Sequence, residues 1–157
     1  MKVPFVDVKA QYKEAKKEIN QGIRGVLQRG DFILGADVAL FEQEFARFCG
    51  SRYAVSVSSG TAALFLALKS LDIGPGDEVI VPVFTFIATA FAISYVGAKP
   101  VFVDIRDDTY NIDPAKIEAA VTSRTKAIMP VHLFGQPAEM SRILEIAKTH
   151  KDRKSVV

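Results

Sequence analysis

The chain of 157 residues has no tryptophan, one cysteine and two histidines. A single cysteine, Cys49, excludes an internal disulfide and any multi-cysteine metal cluster. With no base beside it in sequence, Cys49 reads as a small apolar residue closing the helix "LFEQEFARFC" rather than as a nucleophile. His132 and His150 form no HExxH or related spacing, so no metal site is expected. Neither sign of charge dominates: 20 Lys and Arg stand against 18 Asp and Glu, a net +2 spread along the chain. Nucleic-acid binding calls for a concentrated basic face, and "KTHKDRK" reads instead as a solvated helix end. Long hydrophobic runs are missing too. "FIATAFAISYVGA" is too short to span a bilayer, and "MKVPFVDVKAQYK" lacks the apolar core of a signal peptide. A cytoplasmic protein with no nucleic-acid or membrane partner is expected. Neither GxxxxGK[ST] nor GxGxxG occurs, and no Ser-His-Asp set can be assembled.

What remains is a chain long enough for one domain with a substantial core. Over the first 50 residues, apolar positions Tyr12, Ala15, Ile19, Ile23, Val26 and Leu27 recur at helical spacing. "RGDFILGAD" interrupts them. "DVALFEQEFARFCG" is a second amphipathic helix, with Asp37 the expected N-cap and Gly50 the residue past its C-cap. From residue 51 strands and helices alternate. "YAVSVS", "VIVPV", "PVFVDI" and "KAIMPVHLF" read as strands, and the closing "SVV" as the start of another. Pro82 in "VIVPV" calls for a strand end or edge. "TAALFLALKSL", "FIATAFAISYV", "NIDPAKIEAAV" and "PAEMSRILEIAKTHK" read as helices. Asp113 is the N-cap of the third of these, with Pro114 at its first position. Near-continuous apolar strands are buried on both faces, which implies an α/β fold with a mostly parallel sheet covered by helices. Such sheets bind ligands outside the carboxyl ends of their strands.

Three segments fall at those ends. Ser58-Ser59-Gly60-Thr61 stands where a strand hands over to a helix. A helix N-terminus offers free N–H groups and a partial positive charge, which suit a phosphate. Gly60 removes a Cβ, and Ser59 and Thr61 add hydroxyls. A well-capped helix with small residues against the sheet fits the same four residues. In "PVFTFIA", Phe84 and Phe86 flank Thr85, and one ring could face a planar ligand or fill the core. In "PVHLFGQP", His132 reads as a buried histidine with a satisfied hydrogen bond in preference to a base. His150, at a helix C-terminus, reads as structural. Asp104, Asp107 and Asp108 read as turn chemistry.

The blocks "GDFILG", "YAVSVSSGTAALFLAL", "IGPGDEVIVPVFTFIATA", "VGAKPVFVDI", "TYNIDP" and "TKAIMPVHLFGQPAEM", in this order and spacing, resemble the DegT/DnrJ/EryC1/StrS family. The likeness runs from about Val3 to His150. It implies a PLP-dependent aminotransferase that moves an amino group from an amino acid, commonly glutamate, through PMP to a nucleotide-linked keto sugar, working as a homodimer. It implies an N-terminal helical segment (residues 1–50) followed by a partial type I PLP-transferase large domain (51–157), with the C-terminal domain absent. Gly60 and Thr61, with Ala62 beside them and the Ser59 hydroxyl, match the phosphate-binding turn. Phe86 matches the aromatic residue stacked on the pyridine ring. Phe32 and Ile33 of "GDFILG" match a segment near the substrate. The family's aspartate at the pyridine nitrogen and its cofactor-binding lysine have no counterpart here, so no catalytic residue is carried over. Lys69, Lys99, Lys116, Lys126, Lys148, Lys151 and Lys154 are expected on the surface, away from the carboxyl edge. The chain alone is expected to be inactive. Two other readings stay open: a PLP/PMP-dependent sugar dehydratase relative, and a truncated non-catalytic interaction fragment.

Overall fold

The computed structural model describes residues 5–150 and the backbone of residues 154–155. Two compact units divide the chain, residues 1–56 and 57–157.

The first unit is built on α1 (Val8–Arg29) and α2 (Ala36–Phe48). The Asp7 carboxylate caps α1 by accepting from the Ala10 N–H at 3.0 Å. Gly30, left-handed at φ 70°, ends it by donating its N–H to the Val26 carbonyl at 2.9 Å. The Asp31 carboxylate then accepts from the Ala36 N–H at 3.1 Å and from the Arg29 guanidinium. This tight return leaves no room for a side chain at residue 35, where a Cβ would lie 2.3 Å from the Asp31 carbonyl oxygen. The N-cap of α2 is therefore Gly35 rather than Asp37. Asp37 falls in the first turn, where a negative charge suits the helix dipole, and pairs with Arg29. Gly50 past the end of α2 is left-handed at φ 65°, as expected. Cys49, at the C-cap, is exposed.

The expected strand "YAVSVS" does not form. Residues 53–57 carry no strand assignment, and Tyr53, Val55 and Val57 are exposed. The alternation is present, but no described strand pairs with it, and pairing is what makes an extended segment a strand. The Ser56 N–H instead donates to the Glu42 carboxylate at 2.6 Å.

The second unit holds α3 (Gly60–Ser70), β1 (Glu78–Pro82), α4 (Ala88–Tyr95), β2 (Lys99–Val103), α5 (Pro114–Ala120), β3 (Thr125–Ile128), α6 (Met140–Thr149) and β4 (Lys154–Ser155). The strands lie side by side in the order β2-β1-β3-β4, all parallel. β4 meets the expected strand opening at Ser155, and Val156 and Val157 lie outside the described residues. All five residues of β1 are buried. Val79 and Val81 join Leu68 and Ile93 in the core on one face, under α3 and α4. Ile80 joins Ile117, Ile128 and Ile143 on the other, under α5 and α6. Alternate residues of one strand thus feed two cores, and each buried aliphatic side chain contributes about 1.5–3 kcal/mol. Pro82 ends β1, where its missing N–H costs no ladder bond; the Val83 N–H resumes pairing with the Val103 carbonyl at 2.9 Å. Asp113 accepts from the Ala115 N–H and Pro114 opens α5, as read from the sequence. β3 stops at Ile128 rather than running to Phe134, because Pro130 has no N–H to continue the ladder and the chain turns into a short 3₁₀ segment, Leu133–Gly135.

The amino edge of the sheet is closed by a polar network. Glu78, 2% exposed, accepts from the Thr122 hydroxyl at 2.5 Å and from the Arg124 guanidinium at 2.7 Å, with Lys99 at 3.6 Å. The Thr122 and Arg124 hydrogen bonds hold its carboxyl down from 4.5 to about 2. A depressed carboxylate stabilises the fold fully above its unfolded pKa and loses that contribution as pH falls through the folded one. We expect Glu78→Gln to lower Tm at neutral pH and to flatten the loss of Tm between pH 4.5 and pH 2. Thermal scans by circular dichroism across that window check this; an unchanged acid profile would exclude the network as its source.

Candidate functional site

β1, β2 and β3 each deliver a loop to the same edge of the sheet. The turn after α3 leads directly into the start of β1, so the C-terminus of α3 lies at the amino edge. A helix of 11 residues is about 16 Å long at 1.5 Å per residue, close to the ~17 Å of a five-residue strand, so the N-terminus of α3 reaches the carboxyl edge. The loop carrying Phe86 leaves the end of β1, that of Asp104 leaves β2, and that of His132 leaves β3.

Ser59 is the N-cap of α3, extended at φ −166° and ψ 164°. Its hydroxyl accepts from the Ala62 N–H at 3.2 Å, and its carbonyl accepts from the Ala63 N–H at 3.0 Å. Among the described residues nothing accepts from the N–H groups of Gly60 and Thr61. Two orphan donors at the positive end of a helix therefore remain exposed. A Cβ at Gly60 would meet open space. Thr61 and Ala62 are half-buried and Ser59 is exposed.

Phe86 is 76% exposed, so its ring does not fill the core. Its carbonyl accepts from the Thr89 N–H at 3.0 Å, and the Thr85 hydroxyl lies 3.0 Å from that of buried Thr89, fixing the loop to α4 on both sides of the ring. Phe84 turns away to meet Tyr110, with centroids 6.0 Å apart. Phe32 and Ile33, in the first unit between α1 and α2, are 68% and 87% exposed.

Two expectations are corrected at this edge. His132 is exposed rather than buried, although its hydrogen bond is made: Nδ1 accepts from the Ala138 N–H at 3.1 Å. Lys116 was expected away from the carboxyl edge, yet its Nζ lies 2.9 Å from the Asp104 carboxylate, just past the end of β2. The first turn of α5 starts at this edge, which a linear reading of the helix did not reveal. The Asp104 hydrogen bond raises the pKa of Lys116, and Lys116 lowers that of Asp104, so the amine is held protonated. Lys69 and Lys148 lie in the last turns of α3 and α6, and Lys99 starts β2 beside Glu78. Lys126 is exposed on β3, and the side chains of Lys151 and Lys154 lie outside the described residues. His150 caps α6, with Nε2 3.6 Å from the Glu118 carboxylate. Arg106 pairs with Asp108 and Glu139, in keeping with turn chemistry.

Sequence reading missed Asn111. Its side chain is 4% exposed and bonds the backbone on both sides of the turn after β3. Only the block "TYNIDP" pointed near it.

The profile of the DegT/DnrJ/EryC1/StrS aminotransferase family matches residues 13–151. The chain is 53% identical over 148 residues to the UDP-N-acetyl-3-dehydro-alpha-D-glucosamine 3-aminotransferase of Acidithiobacillus ferrooxidans, covering 94% of this chain and 40% of that protein. It is 48% identical over 149 residues to the dTDP-3-amino-3,4,6-trideoxy-alpha-D-glucose transaminase of Streptomyces venezuelae, covering 95% and 39%. Among solved structures, NtdA from Bacillus subtilis with bound cofactor PMP superposes with a TM-score of 0.93 at 39% identity, over 98% of this chain and 35% of that one. DesV from S. venezuelae gives 0.92 at 49% identity, over 94% and 40%. The chain thus spans about 40% of the length of the curated relatives it matches. The cofactor of these aminotransferases is pyridoxal phosphate or its amine form, PMP. A parallel sheet with flanking helices, and a match that runs through both units, place this chain in the DegT/DnrJ/EryC1/StrS aminotransferase family.

Proposed function

We propose that this chain forms part of a PLP/PMP-dependent aminotransferase that transfers an amino group from an amino acid, such as glutamate, to a nucleotide-linked keto sugar. The observation that carries this reading is the open N-terminus of α3, with the Gly60 and Thr61 N–H groups unaccepted, beside an exposed Phe86 on the loop after β1. The residues present fit the cofactor. A phosphate supplies acceptors for both orphan N–H groups, and the open space at Gly60 leaves room for it. Ser59 and Thr61 add hydroxyls, and Ala62 keeps the turn small. Phe86 offers its face to a pyridine ring held there by that anchor. When bound, the cofactor supplies an electron sink that accepts and hands on the amino group. The chain's own residues bind the phosphate and set the ring plane. Phe32 and Ile33 supply apolar surface for the sugar nucleotide. The full enzyme acts in the cytoplasm as a homodimer.

The 157-residue chain titrated with PMP, followed by amide NMR, should show the Gly60 and Thr61 signals moving most. Pyridoxamine without phosphate should leave them in place, and an equal response to both compounds would exclude the anchor. Phe86→Ala should weaken PMP binding roughly three- to tenfold, the worth of one aromatic stack at about 0.5–1.5 kcal/mol.

Amine chemistry separates a second expectation. An attacking lysine must be unprotonated, and Lys116, the lysine at this edge, is held charged by Asp104. Borohydride treatment of the chain with pyridoxal phosphate should leave Lys116 unlabelled by mass spectrometry. A specific adduct there would overturn that assignment.

A further inference from the structure

Two aromatic residues past the strand ends hold left-handed backbone: Tyr110 at φ 58° after β2 and Phe134 at φ 54° after β3. A bulky residue keeps that conformation only where its surroundings enforce it. Around Tyr110 the enforcement is plain. Ile105 and Ile112 form an antiparallel bridge, and the Arg106 N–H donates to the Asn111 carbonyl at 2.9 Å. Between them the chain doubles back in a tight turn, closed by the Tyr110 N–H on the Arg106 carbonyl at 2.9 Å. The left-handed position of a tight turn favours glycine or asparagine. Here a tyrosine stands in it. Asn111, next in sequence, is 4% exposed and clasps the turn after β3: Oδ1 accepts from the Leu133 N–H at 3.0 Å, and Nδ2 donates to the Gln136 carbonyl at 2.9 Å. Arg106, at the start of the turn, pairs with Glu139, the N-cap of α6, at 3.0 Å. The loops after β2 and β3 are thereby tied into one body.

What the strained position provides is a contact with a third loop. The Tyr110 ring lies 6.0 Å from the Phe84 ring, centroid to centroid, with the planes tilted by 48°. That is within the roughly 4.5–7 Å over which aromatic rings pair. Phe84 and Phe86 flank Thr85, whose hydroxyl lies 3.0 Å from that of Thr89 in α4. The loop after β1 is therefore held from two sides, by α4 through Thr85 and by Tyr110 through Phe84. A glycine at 110 would suit the backbone better and would lose the second hold.

We infer that Tyr110 is a positioning residue for Phe86: its ring, carried on a strained turn, holds Phe84 and so sets where the loop after β1 presents the Phe86 ring. Tyr110 acts through Phe84, and the inference rests on the cofactor reading above only for what Phe86 meets.

Tyr110→Gly and Tyr110→Phe in the 157-residue chain separate support of Phe86 from support of the fold. Tyr110→Gly relieves the left-handed strain and removes the ring, so Tm should stay level or rise. The Thr85 and Phe86 amide NMR signals should move in Tyr110→Gly and stay in place in Tyr110→Phe, which keeps the ring. Tyr110→Gly should bind PMP about two- to threefold more weakly, the low end of what one aromatic pair is worth, and inorganic phosphate equally well. Tyr110→Phe should keep the parent affinity for both. In a Phe86→Ala background, Tyr110→Gly should not weaken PMP further, because the two residues act as one. A lower Tm in Tyr110→Gly with PMP affinity unchanged assigns the tyrosine to stability and overturns the inference. Unmoved Thr85 and Phe86 signals, or a loss that adds in full to that of Phe86→Ala, overturn it as well and leave the cofactor reading standing. If PMP leaves the Gly60 and Thr61 amides in place, the cofactor reading falls, and the Thr85 and Phe86 signals still decide whether Tyr110 positions Phe86.

Discussion

Parallel pairing of β1 with β2 on one side and β3 on the other sets the rest of the second unit. Parallel neighbours cannot be joined by a tight hairpin, so each connection must carry the chain back across a face of the sheet. α4 does this on one face, where Val79 and Val81 point. α5 does it on the other, where Ile80 points. A strand buried on both faces has no solvent side, which is why its sequence is an unbroken apolar run instead of an alternation. The same geometry sorts the loops. The segments that follow β1, β2 and β3 emerge at one edge, and those that precede them lie at the other.

The two edges are built from different chemistry. The amino edge buries the Glu78 carboxylate and satisfies it with a hydroxyl, a guanidinium and an ammonium group. A buried charge left without such partners would be costly, so this edge is closed. At the carboxyl edge the opposite holds: Gly60, Phe86 and His132 are exposed, and the Gly60 and Thr61 N–H groups have no acceptor among the described residues. Among the described residues, the amino edge pairs its buried carboxylate, while the carboxyl edge, where ligands of such sheets sit, leaves two helix N–H groups without an acceptor.

The sheet and its helices were legible because local signals agreed with packing. Asp113-Pro114 announces α5, Pro82 announces the end of β1, and Ser59 announces α3. Failures fell where a residue's fate depends on distant partners. Tyr53 to Val57 alternate like a strand, but no described strand receives them. Asp37 looks like a cap until the Asp31 carboxylate takes the Ala36 N–H and makes Gly35 the turning point. Lys116 looks like a surface lysine until the fold brings Asp104, twelve positions away, to 2.9 Å. The start of α3 at Ser59 and Gly60 was legible from the hydroxyls and the glycine there. The exposure of Phe86 was not, because sequence does not separate a core aromatic from a plate.

Asn111 shows the limit most clearly. Nothing in its neighbourhood distinguishes it from any turn asparagine, and its partners lie 22 and 25 positions on. Its buried side chain gives the Leu133 N–H an acceptor and the Gln136 carbonyl a donor in a part-buried turn. The clasp converts a short, strained turn into a fixed one. At this edge, among the described residues of the second unit, Lys116 is held charged and paired with Asp104. The hydrogen bonds that brace the loops of Phe86 and His132 fix where both side chains stand.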